Sequence, residues 1–248
     1  MAGLSLMPAA EAGPLEAGPL SPPPVIAALR PSEYTAALIQ ALHARPGWVR
    51  GADAVEIGSG SGVVLAAIGA LGAATLCGVD IEGVAVASGN FLLHKMGFGE
   101  RTEMLCGDMW RRLAGRRFDL VAANLPQFPM PTLGYDGRLP SWSCGGRDGR
   151  GLLDPLLAGL AAHLAPGGRA VITHNGFIGI DQSRAMLRRD GLALRVAATR
   201  LVPLADEKLD LMTPAILGAE EGRSIHRYGP HAFVEMHIVE IGSDAALD

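Results

Sequence analysis

Five short stretches hold the side chains from which chemistry can be built. Glu56-Ile57-Gly58-Ser59-Gly60-Ser61-Gly62 sets three glycines at alternate positions behind an acid. Glycine permits a tight turn and lets a ligand come close to the backbone, and the free amides of a helix start face such a ligand. Asp80, followed by Ile81, stands 22 positions after Gly58, where a carboxylate accepts both hydroxyls of a ribose. Asp108-Met109 follows a third apolar run and is placed beside a base. Asn124-Leu125-Pro126-Gln127-Phe128 puts an amide at the end of a fourth. His174 closes a fifth, and an imidazole of ordinary pKa about 6.5 suits proton transfer. Each has a structural alternative: Glu56 as a cap on local backbone, His174 as a hydrogen-bonded core residue.

These stretches need a frame that gathers them. Short apolar runs at 53–57, 74–79, 102–105, 118–123, 169–173, 192–198 and 231–241 read as strands, and 62–71, 83–95, 151–164 and 182–189 as helices. A further helix is expected at 32–44 with Ser32 as its N-cap. Strands alternating with helices imply an α/β, Rossmann-like, seven-stranded, mostly parallel sheet with helices on both faces. Such a sheet binds ligands beyond the carboxyl ends of its strands, where Gly58, Asp80, Asp108, Asn124 and His174 fall. Residues 1–24 repeat EAGPL and end in three prolines, which reads as a disordered Pro/Gly-rich tail ahead of one domain over 25–248. A loop of about 27 residues, 124–150, carries Tyr135 and Trp142, and long loops often wall a binding site.

The spacing G-x-G-x-G, rather than G-x-G-x-x-G, argues against a nicotinamide dinucleotide. With Glu56, Asp80 and Asp108 in order, the chain resembles the class I S-adenosylmethionine-dependent methyltransferases. That resemblance implies S-adenosylmethionine as cofactor, with S-adenosylhomocysteine as product, held by Glu56, Gly58, Ser59, Gly60, Gly62, Asp80, Ile81, Asp108, Met109 and Asn124. Asn124-Leu125-Pro126-Gln127 is similar to the N-P-P-Y motif of enzymes that methylate planar nitrogens. Arg30-Pro31-Ser32-Glu33 and Gly145-Gly146-Arg147-Asp148-Gly149 resemble segments of the HemK-like glutamine methyltransferase branch. The likeness covers roughly 30–175 and implies Asn124 as the residue that positions the acceptor; His174 is a candidate base by its place at a strand end. Asn124, Leu125, Pro126, Gln127, Phe128, Tyr135 and Trp142 are the expected substrate residues. Leu125 stands where the family has its first proline, and Gln127 where it has tyrosine.

Only about 50 residues precede the glycine motif, without the helical domain that holds protein substrates in that branch. The expectation is therefore a small-molecule acceptor, such as an indole or aryl amine, methylated on nitrogen or electron-rich carbon in bacterial natural product biosynthesis. A glutamine side-chain amide of a release-factor-type protein is the alternative, and a non-catalytic S-adenosylmethionine-binding module a third. Net charge is −4, which disfavours nucleic acid, and the cluster Arg111, Arg112, Arg116 and Arg117 reads as a solvated helix end. Three cysteines and seven histidines lack metal-ligand spacing, so no metal is expected. Without a signal peptide or a run of about 18 apolar residues, a cytoplasmic protein is expected; oligomeric state is left open.

Overall fold

The computed structural model describes residues 30–130 and 143–247. The expected tail over 1–24, and Tyr135 and Trp142, lie outside the described residues. Helix α1 (Glu33–His43), capped by Ser32, and the one-turn α2 (Pro46–Val49) precede strand β1 (Asp53–Ile57). Then come α3 (Val63–Ala70), β2 (Thr75–Asp80), α4 (Gly83–Lys95), β3 (Thr102–Cys106) and β4 (Phe118–Ala123). Beyond the long loop lie α5 (Leu153–His163), β5 (Leu164–Asn175), α6 (Ile180–Arg189) and β6 (Ala193–Leu204). The chain continues through α7 (Asp206–Leu211), α8 (Pro214–Glu220), β7 (Ile225–Tyr228), β8 (His231–Gly242) and α9 (Asp244–Leu247).

The strands join in the order β3-β2-β1-β4-β5-β8-β6, with β7 also paired to β8. The pairs from β3 to β5 are parallel, and β8 runs antiparallel to β5 and β6. The order reverses between β1 and β4, which opens a crevice at their carboxyl ends. Adjacent residues of β5 show how the layers lie. Asn175 meets Tyr34 of α1, while His174 meets Ser183 of α6. Successive strand residues face opposite sides, so α1 and α6 cover opposite faces of the sheet. Between them the core is aliphatic. On α3, Leu65 and Ile68 are fully buried, each stabilising the fold by roughly 2 kcal/mol.

β7 adds an eighth strand to the seven expected. Its four residues, IHRY, show no clear alternation in sequence, and the strand exists because β8 has a free flank beyond the end of β5. There β7 pairs with 231–234, while β5 occupies 236–241. The segment carrying α7, α8 and β7 also ties the long loop down: Thr213 N donates to Pro129 O at 2.8 Å, and its Oγ1 to Arg147 O at 2.6 Å.

The helix end of the glycine turn is packed against backbone. Gly62 has φ +78°, and a Cβ there would stand 2.7 Å from Gly89 Cα of α4. Gly62→Ala should therefore cost about 3 kcal/mol through strain and the α3–α4 clash. Gly89→Ala, whose Cβ would meet the flexible end of Met104 at 2.6 Å, should cost less. Urea unfolding of both variants checks this; equal midpoints would contradict the backbone contact.

Candidate active site

Gly58, Gly60 and Gly62 all lie in the left-handed region, at φ 72°, 50° and 78°, which explains why glycine recurs at alternate positions. The turn floors a cavity of about 560 Å³ at the carboxyl ends of β1, β2 and β4. Ser59 Oγ is buried there without a hydrogen-bond partner. Asp80 accepts from Gly60 N at 2.8 Å through Oδ2 and from Glu82 N at 2.9 Å through Oδ1. Burial pushes its carboxyl up from the ordinary range, and those amides pull it back. A carboxylate offers about four acceptor positions, so Asp80 retains capacity for two hydroxyls. Ile81, 64% exposed, offers the cavity an apolar face. Met109 borders it with φ 44°, the one non-glycine residue with positive φ among the described residues; such strain concentrates at ligand sites. Asp108 lines the wall, its carboxylate 3.4 Å from Arg111 Nε.

These observations fit S-adenosylmethionine. A polar atom without a partner lies in the glycine turn, a carboxylate with open acceptor sites suits a ribose, and apolar Ile81 and Met109 suit a base. Glu56 plays a different part from the one expected. It is buried, its Oε2 accepts from Leu65 N at 3.1 Å, and burial pushes its carboxyl well above the usual range. It borders the cavity, but its bond caps the first turn of α3 beneath the glycines.

A second cavity, of about 240 Å³, adjoins the first, and Ser32, Asn124, Leu125 and Pro126 wall both. Asn124 Oδ1 accepts from Thr173 Oγ1 at 2.9 Å, and its Nδ2 lies 3.5 Å from Thr35 Oγ1. Leu125 explains its departure from proline: its Cδ2 would stand 2.6 Å from a Cβ on Gly58, so it fills the space above the glycine turn. Phe128 lines the second cavity, packed edge-on to Phe177 at 6.0 Å with Lys208 Nζ 5.5 Å from its ring centre.

Two expectations are corrected. Gln127 borders the second cavity, but its amide is engaged by the backbone of β5: Nε2 donates to Thr173 O and Oε1 accepts from Asn175 N, both at 2.8 Å. It is a clamp between the segment after β4 and the end of β5. His174 lines neither cavity. It is fully buried toward α6, with Nδ1 against Asn175 O and Nε2 against Ser183 Oγ, both at 2.8 Å. Desolvation brings its pKa down to about 3.

The Gly145–Gly149 segment is structural as well. A Cβ on Gly149 would stand 2.5 Å from Gln127 O, so only glycine passes the clamp. Buried Arg150 then pairs with Asp154 at 2.6 Å and donates to Ser183 Oγ at 3.1 Å. The basic cluster is engaged locally: Arg116 pairs with Glu103 at 2.7 Å, and Arg117 donates to Leu164 O at 2.7 Å. Sequence reasoning missed Tyr34, Asn175 and Phe177 of the second cavity. Tyr34 lies in the helix expected at 32–44, where nothing local marks it for the site. For Asn175, strand alternation beside the buried His174 was the available signal.

The fold, the glycine turn and its acids resemble those of a class I S-adenosylmethionine-dependent methyltransferase domain. No protein-family model matches the chain. It is 32% identical over 126 residues to a release factor glutamine methyltransferase of Gloeobacter violaceus, covering 48% of this chain and 44% of that protein. It is 28% identical over 164 residues to a Methanocaldococcus jannaschii protein described as a protein N5-glutamine methyltransferase, covering 64% of this chain and 79% of that one. Among solved structures it resembles the Thermus thermophilus 16S rRNA N2 G1207 methyltransferase in complex with AdoMet and guanosine. There the TM-score is 0.52 and the identity 18%, over 86% of this chain and 44% of that one. The YcgJ protein of Bacillus superposes with TM-score 0.56 and 14% identity, over 82% of this chain and 98% of that one. The chain spans less than half the length of the Gloeobacter relative. The HemK-like resemblance stands, and these methyltransferase relatives imply S-adenosylmethionine as the cofactor.

Asp80→Ala should weaken S-adenosylhomocysteine binding about tenfold or more, read by calorimetry; an unaltered dissociation constant would remove the ribose role. His174, with a folded pKa below its unfolded value, lends stability that is complete above pH about 6.5 and is lost as pH falls toward 3. The unfolding free energy from urea titration should fall over that window, by on the order of 4 kcal/mol at its acid end, and His174→Gln should flatten the slope. A slope unchanged in the variant would assign it to other groups.

Proposed function

We propose that the chain binds S-adenosylmethionine in the larger cavity and methylates a planar nitrogen, the side-chain amide of a protein glutamine, in the smaller one. The observation that carries this reading is Asn124, which stands in the wall common to both cavities. When bound, the cofactor supplies a methyl group activated by positive sulfur. An amide nitrogen is a weak nucleophile because its lone pair is delocalised, so the protein's task is orientation. Asn124 Oδ1, with one acceptor position taken by Thr173, keeps a second for an N–H of the acceptor. Positioning of this kind lowers a barrier by several kcal/mol. No strong base is required, in keeping with the burial of His174.

The second cavity, about 240 Å³ among the described residues, falls below the roughly 300–1,000 Å³ of sites for drug-sized ligands. A side-chain amide suits that space better than a free ligand buried whole. The curated relatives named for glutamine methylation support the same reading. The small-molecule acceptor and biosynthetic role expected from the missing helical domain draw no comparable support from them. Among the described residues, no helix is long and apolar enough to cross a membrane.

The test is incubation with methyl-labelled S-adenosylmethionine and three acceptor pools: a bacterial release factor, bulk tRNA, and a panel of indoles and aryl amines. Label is expected in the release factor. Label confined to RNA or to the small molecules would replace this reading, and cofactor binding without label in any pool would favour the binding module. Asn124→Ala should lower kcat/KM about a hundredfold, with a far smaller change in S-adenosylhomocysteine affinity.

A further inference from the structure

Asn175 is held on every side but one. Its backbone N donates to Gln127 Oε1 and its backbone O meets His174 Nδ1, both at 2.8 Å. Its side-chain Oδ1 accepts from Tyr34 Oη at 2.8 Å. Burial pushes the Tyr34 pKa far above its ordinary value, so the hydroxyl stays protonated and keeps donating. The Asn175 Nδ2 group makes no hydrogen bond to any described residue, and both Tyr34 and Asn175 line the second cavity. With Oδ1 occupied, the amide group of Asn175 presents N–H donors to that space. Asn175 lies two residues beyond Thr173 on the same face of β5, about 7 Å along the strand, and Thr173 holds Asn124. One acceptor, Asn124 Oδ1, and one donor, Asn175 Nδ2, thus serve the same cavity.

That pair complements a primary carboxamide, which offers N–H on one side and a carbonyl oxygen on the other. We propose that Asn175, oriented by Tyr34, recognises the carbonyl oxygen of the acceptor's carboxamide while Asn124 holds its nitrogen. This rests on reading the second cavity as the acceptor pocket. The arrangement selects glutamine over glutamate, whose carboxylate has no proton for Asn124, and over an amine, which has no oxygen for Asn175. Tyr34 acts as a positioning residue through Asn175.

The test uses the full chain saturated with S-adenosylhomocysteine and titrated by NMR with N-acetylglutaminamide. Asn175→Asp preserves an oxygen for Tyr34 but replaces the donor facing the cavity with an acceptor. It should raise the dissociation constant about tenfold. Tyr34→Phe should raise it by a smaller factor, and S-adenosylhomocysteine affinity, unchanged in both variants, reports that they fold. On the release factor, Tyr34→Phe should raise KM more than it lowers kcat. Wild-type binding that Asn175→Asp leaves within about twofold, or no wild-type binding, would overturn the proposal. Probe binding without methylation of the release factor would sustain Asn175 and sink the release factor as acceptor. Methylation with KM unchanged in Asn175→Asp would do the reverse.

Discussion

The site depends on one side-chain amide. Gln127 bridges the diverging ends of β4 and β5, donating to Thr173 O and accepting from Asn175 N. Both groups lie on β5 beyond Ile172, its last residue paired with β4, and are buried from water. An unmet buried polar group costs about 1–3 kcal/mol, so the clamp answers a need that the splayed strands create. It also dictates what surrounds it. Gly149 must lack a side chain to pass Gln127 O, and Arg150 follows into the gap beside α6. The stretch read as a family signature around Gly145–Gly149 is thus held by packing against the clamp.

Two of the acids that line the larger cavity, Glu56 and Asp80, divide the work by depth. Glu56 lies beneath the glycine turn and satisfies the start of α3. Asp80 lies at the rim and braces the turn through Gly60 N while keeping acceptor capacity. The glycines let both carboxylates approach the same backbone from different sides. A turn of bulkier residues would collide with Leu125 above and Gly89 beside it.

The smaller cavity draws on α1, the segment after β4, the end of β5 and the start of α7. Its aromatic wall comes from Phe128 and Phe177, one position past the site where the N-P-P-Y pattern puts tyrosine, because Gln127 has taken that place for the clamp. The cap built from α7, α8 and β7 fastens the adjoining loop through Thr213.

Much of this was legible in the residues themselves. The strand and helix alternation follows from local apolar runs, and α4 and β4 fall at the expected bounds, Gly83–Lys95 and Phe118–Ala123. The glycine turn, Asp80, Ile81 and Asn124 were legible because each lies next to a strand end, and the ends of parallel strands converge by topology. What a side chain does there was not local. Gln127 and His174 look like chemistry in sequence, yet one is drawn to unpaired backbone and the other is turned by strand alternation into the face under α6. Tyr34 and Asn175 are 141 positions apart. Their meeting, like the existence of β7, depends on which partners the folded sheet leaves exposed, and no local pattern of residues encodes that.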